Sequence, residues 1–146
     1  MMTKREMLQV LVREIRQDVD DYQQLRSLLR HQRELLQRRD HQGLEQHNPR
    51  QNALCVKLAR RAKRRSEILR TLGVSADQTG MDRLLAALAP QTQKPLKSLW
   101  SQLGNLIRDC QTENEVNGKM LAAQKGSIDR LMKQDAGNSS DYGRPL

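Results

Sequence analysis

The sequence predicts an all-α fold, an elongated antiparallel helical bundle with coiled-coil-like packing. Two long helices, a shorter middle helix and a small connecting helix would bury their apolar stripes together. Three observations carry that reading. Apolar residues recur every seven positions at Leu8, Ile15, Tyr22, Leu29 and Leu36, the period of a helix seam. No segment alternates apolar and polar residues long enough to make a half-buried strand. The 146 residues include no Phe, one Trp and two Tyr, so aliphatic seams suit the composition better than an aromatic core. A chain of this length buries roughly two-thirds of its unfolded surface and is short for two domains. Residues 1–134 are expected to form one helical domain and 135–146 a flexible tail.

The elements follow in order. Thr3 and Glu6 have capping-box spacing, so the first helix opens there and runs over 3–39, with Leu11, Val12, Val19, Leu25, Leu28 and Leu35 widening its stripe. Gly43 and Asn48-Pro49 interrupt the pattern. Asn48 serves as a cap with Pro49 at the first helical position, and a second helix is expected over 49–72, closed by Gly73 in the left-handed conformation. Ser75 and Gln78 repeat the capping signature before Met81, Leu84, Leu85 and Leu88, which predicts a short helix over 76–89 ended by Pro90. After Pro95 a long stripe from Leu96 through Leu103 and Cys110 to Leu131 predicts a last helix over 95–133. Beyond it the only large ring is Tyr142.

Lys and Arg number 26 against 17 Asp and Glu, a formal charge of +9 and a pI near 10.2, which invites a polyanionic partner. Arg13, Glu14, Arg16 and Asp18 interrupt any N-terminal signal core, and no stretch approaches a membrane span, so the chain is expected in the cytoplasm. Cys55 and Cys110 fit no ligand pattern and read as small buried residues of a reducing compartment. His31, His41 and His47 lie ten and six residues apart, neither helical metal-ligand spacing nor a finger, and are expected in solvent. No glycine-rich phosphate loop and no nucleophile, base and orienting group in a converging pattern are visible, so the chain reads as a binding protein and not an enzyme.

Two segments compete as the binding region. The basic run Lys57, Arg60, Arg61, Lys63, Arg64 and Arg65 could track phosphates, and a nucleic-acid or regulatory role for residues 57–70 predicts affinity that collapses with salt. It lacks interleaved aromatic rings and a helix-turn-helix, so a solvated charged face outweighs a nucleic-acid site, with attraction to an acidic partner between the two. The more telling feature is the polar interruption from Cys110 to Gly118, where Asn114 and Asn117 fall near the last helix's seam. Polar seam residues weaken a bundle but fix register or mate with a partner, and Gly118 costs about 1 kcal/mol of helix stability while admitting another backbone closely. An imperfect helix with exposed amides is the plainer alternative. Met120 and Met132, near Leu121, Ile128 and Leu131, could form an adaptable apolar surface, with Leu121 leaning to the core and Met132 to a partner. A purely structural coiled-coil oligomer, dimerising through the first helix's heptad, is a third possibility.

Cys110-Gln111, Asn114-Glu115-Val116-Asn117-Gly118, Met120-Leu121 and Arg130-Leu131 together resemble the C-terminal helix of FlgN-type flagellar export chaperones. The long first helix, the segment from Arg64 to Asp77 and Tyr142-Gly143 lie in places similar to those of that family. The resemblance implies a cytoplasmic chaperone that holds the hook-filament junction proteins FlgK and FlgL before export through the flagellar type III apparatus, with no cofactor, neither ATP nor metal. It also implies that the C-terminal helix grips an amphipathic helix of the client. Asn114, Val116, Asn117, Gly118, Met120 and Leu121 are the first candidates, Ile128 and Leu131 follow, and Tyr142 would dock on the export gate protein FlhA.

Overall fold

The computed structural model describes residues 1–135, and these form four helices: α1 (Lys4–Gln37), α2 (His41–Thr71), α3 (Gln78–Ala86) and α4 (Pro90–Asp135). Of the expected tail over 135–146, Asp135 still belongs to α4, and the rest, with Tyr142, lies outside the described residues. Among the described residues there is no strand, and the fold is an all-α bundle of long helices.

α1 opens as its sequence predicts. Thr3 Oγ1 accepts from the Glu6 N–H at 3.1 Å, and Glu6 Oε1 accepts from the Thr3 N–H at 3.2 Å. The helix closes in a Schellman turn: the Arg39 N–H donates to the Leu36 carbonyl and the Asp40 N–H to that of Leu35, with Arg39 at φ 55°. α2 closes in the same way at Gly73, φ 89°, where glycine takes the left-handed conformation without a Cβ penalty.

Three boundaries differ from the sequence expectation. α2 starts at His41, not at residue 49, because Asp40 caps it by accepting from the Gly43 N–H at 2.8 Å. Pro49 therefore lies inside the helix, on an exposed face where water can satisfy the carbonyl of exposed Glu45 that loses its donor. The middle helix is thereby 31 residues long. α3 is capped by Asp77, which accepts from Gly80 at 2.8 Å, and not by Ser75, whose hydroxyl donates to Asp77. α4 begins at Pro90 and not after Pro95; its first turn donates to the Ala89 carbonyl, and exposed Pro95 is accommodated one turn on.

Packing sets the topology. α1 and α2 pair antiparallel, with Glu14 against Arg64, Asp18 against Arg61 and Gln32 against Asn48. α1 and α4 run parallel: Tyr22 meets Cys110, Leu29 meets Asn117 and Leu36 meets Gln124, each pair 88 residues apart. The arrangement is up, down, up, with α3 turning the chain back and packing on α4. Leu11, Ile15, Met81, Leu96 and Leu103 fill the core at the α3 end, and Leu25, Leu29, Leu54, Leu58 and Cys110 fill a second cluster further along. At the 88-residue offset α1 ends opposite residue 125, so the last turns of α4, about 15 Å, run on beyond it.

Candidate partner-binding site

The polar interruption in α4 is a continuous stretch of helix, and its centre is tied into the bundle. Asn117 is 3% exposed, and its Nδ2 donates to the Leu29 carbonyl at 2.7 Å and to Gln32 Oε1 at 3.0 Å. Its Oδ1 accepts from Arg33 Nε at 3.1 Å, while Arg33 also reaches Glu113 at 2.9 Å. Gln32 donates to Asn48 at 2.9 Å and accepts from Gln51, and Gln51 bonds the ring of buried His47 at 2.9 Å. This layer of amides joins all three long helices, which a purely apolar seam could not fix in register so narrowly.

Above the layer an open groove runs between α2 and α4. α1 supplies the floor with Tyr22, Leu25, Leu29, Gln32 and Leu36. Leu44, Asn48, Gln51 and Cys55 of α2 make one wall, and Ile107, Gln111, Asn114, Gly118 and Leu121 of α4 make the other. Each set follows three-and-four spacing, so each is one face of its helix. Two cavities of about 240 and 170 Å³ lie along the groove and meet at Asn114. No residue lining either cavity carries a formal charge.

The structure brings Asn114, Asn117, Gly118 and Leu121 together here. Val116 is 40% exposed, but a turn of about 200° between it and Gly118 puts it on the other side of α4. Met120 is half-buried on the flank. Leu121, expected to lean to the core, is 55% exposed, and Leu131 and Met132 are 58% and 46% exposed on the run of α4 beyond α1. The Ile128 side chain lies outside what is described; its backbone continues the helix four residues past Gln124.

The basic run divides in two. Arg61 Nε holds Asp18 at 2.5 Å and its Nη2 holds Asp21, while Arg65 reaches the other oxygen of Asp18 at 2.6 Å and stacks 5.6 Å over the Trp100 ring. Burial works against the Arg61 charge, and the hydrogen bonds it donates to Asp21 and Asp18 outweigh that, so its pKa is raised. Arg64 pairs with Glu14 at 2.6 Å, and Lys57, Arg60 and Lys63 are exposed. Two further expectations are corrected. His47 is buried against Gln51 and 5.2 Å from the His31 ring, not solvated, and Cys55 is exposed while Cys110 is buried. Sequence reasoning missed the α1 and α2 sides of the groove; amides at helical spacing in Asn48 and Gln51, matched by Gln32, were the signal.

Among the described residues no helix is long and apolar enough to cross a membrane, and no cluster of His, Cys, Asp or Glu could hold a metal ion. No curated protein and no solved structure matches the chain. A family model described as FlgN protein matches residues 2–145. That match spans nearly all of a helical bundle whose last helix carries an amide-marked seam and an uncovered apolar end, and the chain belongs to the FlgN family, a family of flagellar export chaperones.

Proposed function

We propose that the protein is a cytoplasmic type III export chaperone of flagellum assembly, which binds the C-terminal helical segments of the hook-filament junction proteins FlgK and FlgL and delivers them to the export gate protein FlhA. The observation that carries this reading is the exposed apolar seam of α4, which starts at Leu121 beside the end of α1 and continues through Leu131 and Met132 beyond its reach. An amphipathic helix laid there would continue a coiled seam already running along the bundle, and the Met132 thioether adapts to more than one client. With Arg61, Arg64 and Arg65 engaged by acids of α1, the cationic surface is smaller than residues 57–70 suggest, which favours a protein client over nucleic acid. Tyr142 is assigned to the gate on the family resemblance.

Co-purification with C-terminal fragments of FlgK and FlgL tests the reading, at about 0.1 and 0.5 M salt. A stoichiometric complex that survives salt and is lost in Leu121→Asp/Leu131→Asp is expected, while Tyr142→Ala retains the client and loses FlhA capture. Retention of a DNA duplex but of neither fragment, with affinity collapsing in salt, would sink the reading and move the site to the basic run.

A further inference from the structure

We propose that the groove between α2 and α4 seats a helix of the client as a fourth long helix of the bundle, and that it selects a helix face free of charge. This inference rests on the chaperone reading and names where the client lies and what it must present.

Gly118 is the first argument. A Cβ there would meet nothing within 4 Å, and its φ is not left-handed, so neither internal packing nor backbone geometry asks for glycine. A mid-helix glycine nonetheless weakens α4 relative to alanine. What its missing side chain leaves is room in the groove wall beside the 170 Å³ cavity, which permits close approach of another backbone.

Charge is the second. The chain carries +9 overall and 29% charged residues, yet the groove is lined only by aliphatic, thiol, phenol and amide groups. A polyanion would find no cation there. A charged helix face would lose its hydration without gaining a partner, whereas Ala, Ser, Leu, Asn or Gln side chains bury against leucines and bond to amides.

Length and continuity are the third. From Ile107 to Leu121 the wall extends about 21 Å, some four helical turns, long enough to grip an amphipathic helix. Leu121 ends the groove and begins the uncovered seam that leads to Leu131 and Met132, so one helix can occupy both.

Two measurements on the full chain test the proposal, with the FlgK C-terminal fragment as probe. The first compares its affinity for wild type, Gly118→Ala and Gly118→Trp, after circular dichroism and thermal melting confirm each fold. The second follows alkylation of Cys55, the exposed thiol in the α2 wall, with and without saturating fragment. Gly118→Trp is expected to melt no lower than wild type yet bind at least about tenfold more weakly, and the fragment to slow Cys55 alkylation at least about fivefold. If wild type binds the fragment but neither Gly118→Trp nor Cys55 responds, the groove is not the seat, although the chaperone reading stands. If wild type does not bind, the chaperone reading itself falls and takes the groove with it. A dimer of the unliganded protein that Gly118→Trp converts to monomer would show a second copy as the occupant and overturn the proposal.

Discussion

Single residues decide how the three long helices are keyed. Asn117 meets a backbone carbonyl of α1 and two of its side chains, so Asn117→Ala strands buried polar groups and should cost about 1–3 kcal/mol, read as a fall in the urea midpoint. An effect of that variant on client binding would then act through the register of α4. Cys110 behaves differently because burial pushes its thiol from the ordinary 9.0 up to about 11, a rise that nearby Arg26 only partly opposes. The folded state holds this proton more tightly than the unfolded chain does. Its contribution is fully present below pH 9, and it is lost as pH rises toward 11. Half-buried Tyr22, also raised by burial, adds to the same alkaline loss. A urea midpoint followed up the alkaline range should therefore fall over that window, and less so in Cys110→Ala. Near neutral pH a thiol reagent should titrate Cys55 alone until denaturant is added.

At the scale of elements, the decisive contacts are those that override local sequence signals. α1 was legible because everything that defines it is local: the Thr3–Glu6 box and a seven-residue stripe. The start of α2 was not. Gly43 and Asn48-Pro49 look like breakers, yet a Cβ at Gly43 would fall 2.9 Å from the Leu35 side chain and 2.6 Å from Asp40, so this glycine lets the α1–α2 hairpin close tightly. The basic run was misleading for a similar reason, since the acids that hold Arg61 and Arg65 lie in α1 about forty residues earlier. Asp18 has a side chain only 2% exposed and serves both arginines. Asp18→Ala should cost about 3–5 kcal/mol in denaturant unfolding, because sheltered Arg65 loses its acid partner and Arg61 one of its two. Arg26→Ala, which removes a solvent-accessible pair with Asp109, half-buried on the arginine side and exposed on the aspartate side, should cost under about 1 kcal/mol. Similar losses in the two variants would contradict the view that the Asp18 cluster, and not surface pairing, joins α1 to α2.

For the whole molecule, the all-α class and four elements could be read from periodicity, whereas the parallel run of α1 and α4 could not. Stripes say which face of a helix is buried but not against which helix, or in which direction. The same gap explains the site. Asn114, Asn117, Gly118 and Leu121 stood out in one helix, while the floor came from α1 residues that read only as a seam, and the far wall from α2, whose amides make a site only beside Gln32. The 88-residue separation of the α1–α4 contacts has a kinetic consequence. The α1–α2 hairpin closes over a three-residue turn, so it can form early, whereas α4 must wait for a far larger loop to close. The distal half of α4, held by fewer buried side chains, is then the unit that opens most readily. Amide hydrogens of residues 118–135 should exchange well before those of 11–36, and equal protection would refute that order. With the client seated on α4 as proposed, the protein can loosen the arm that holds its cargo while the hairpin beneath stays folded.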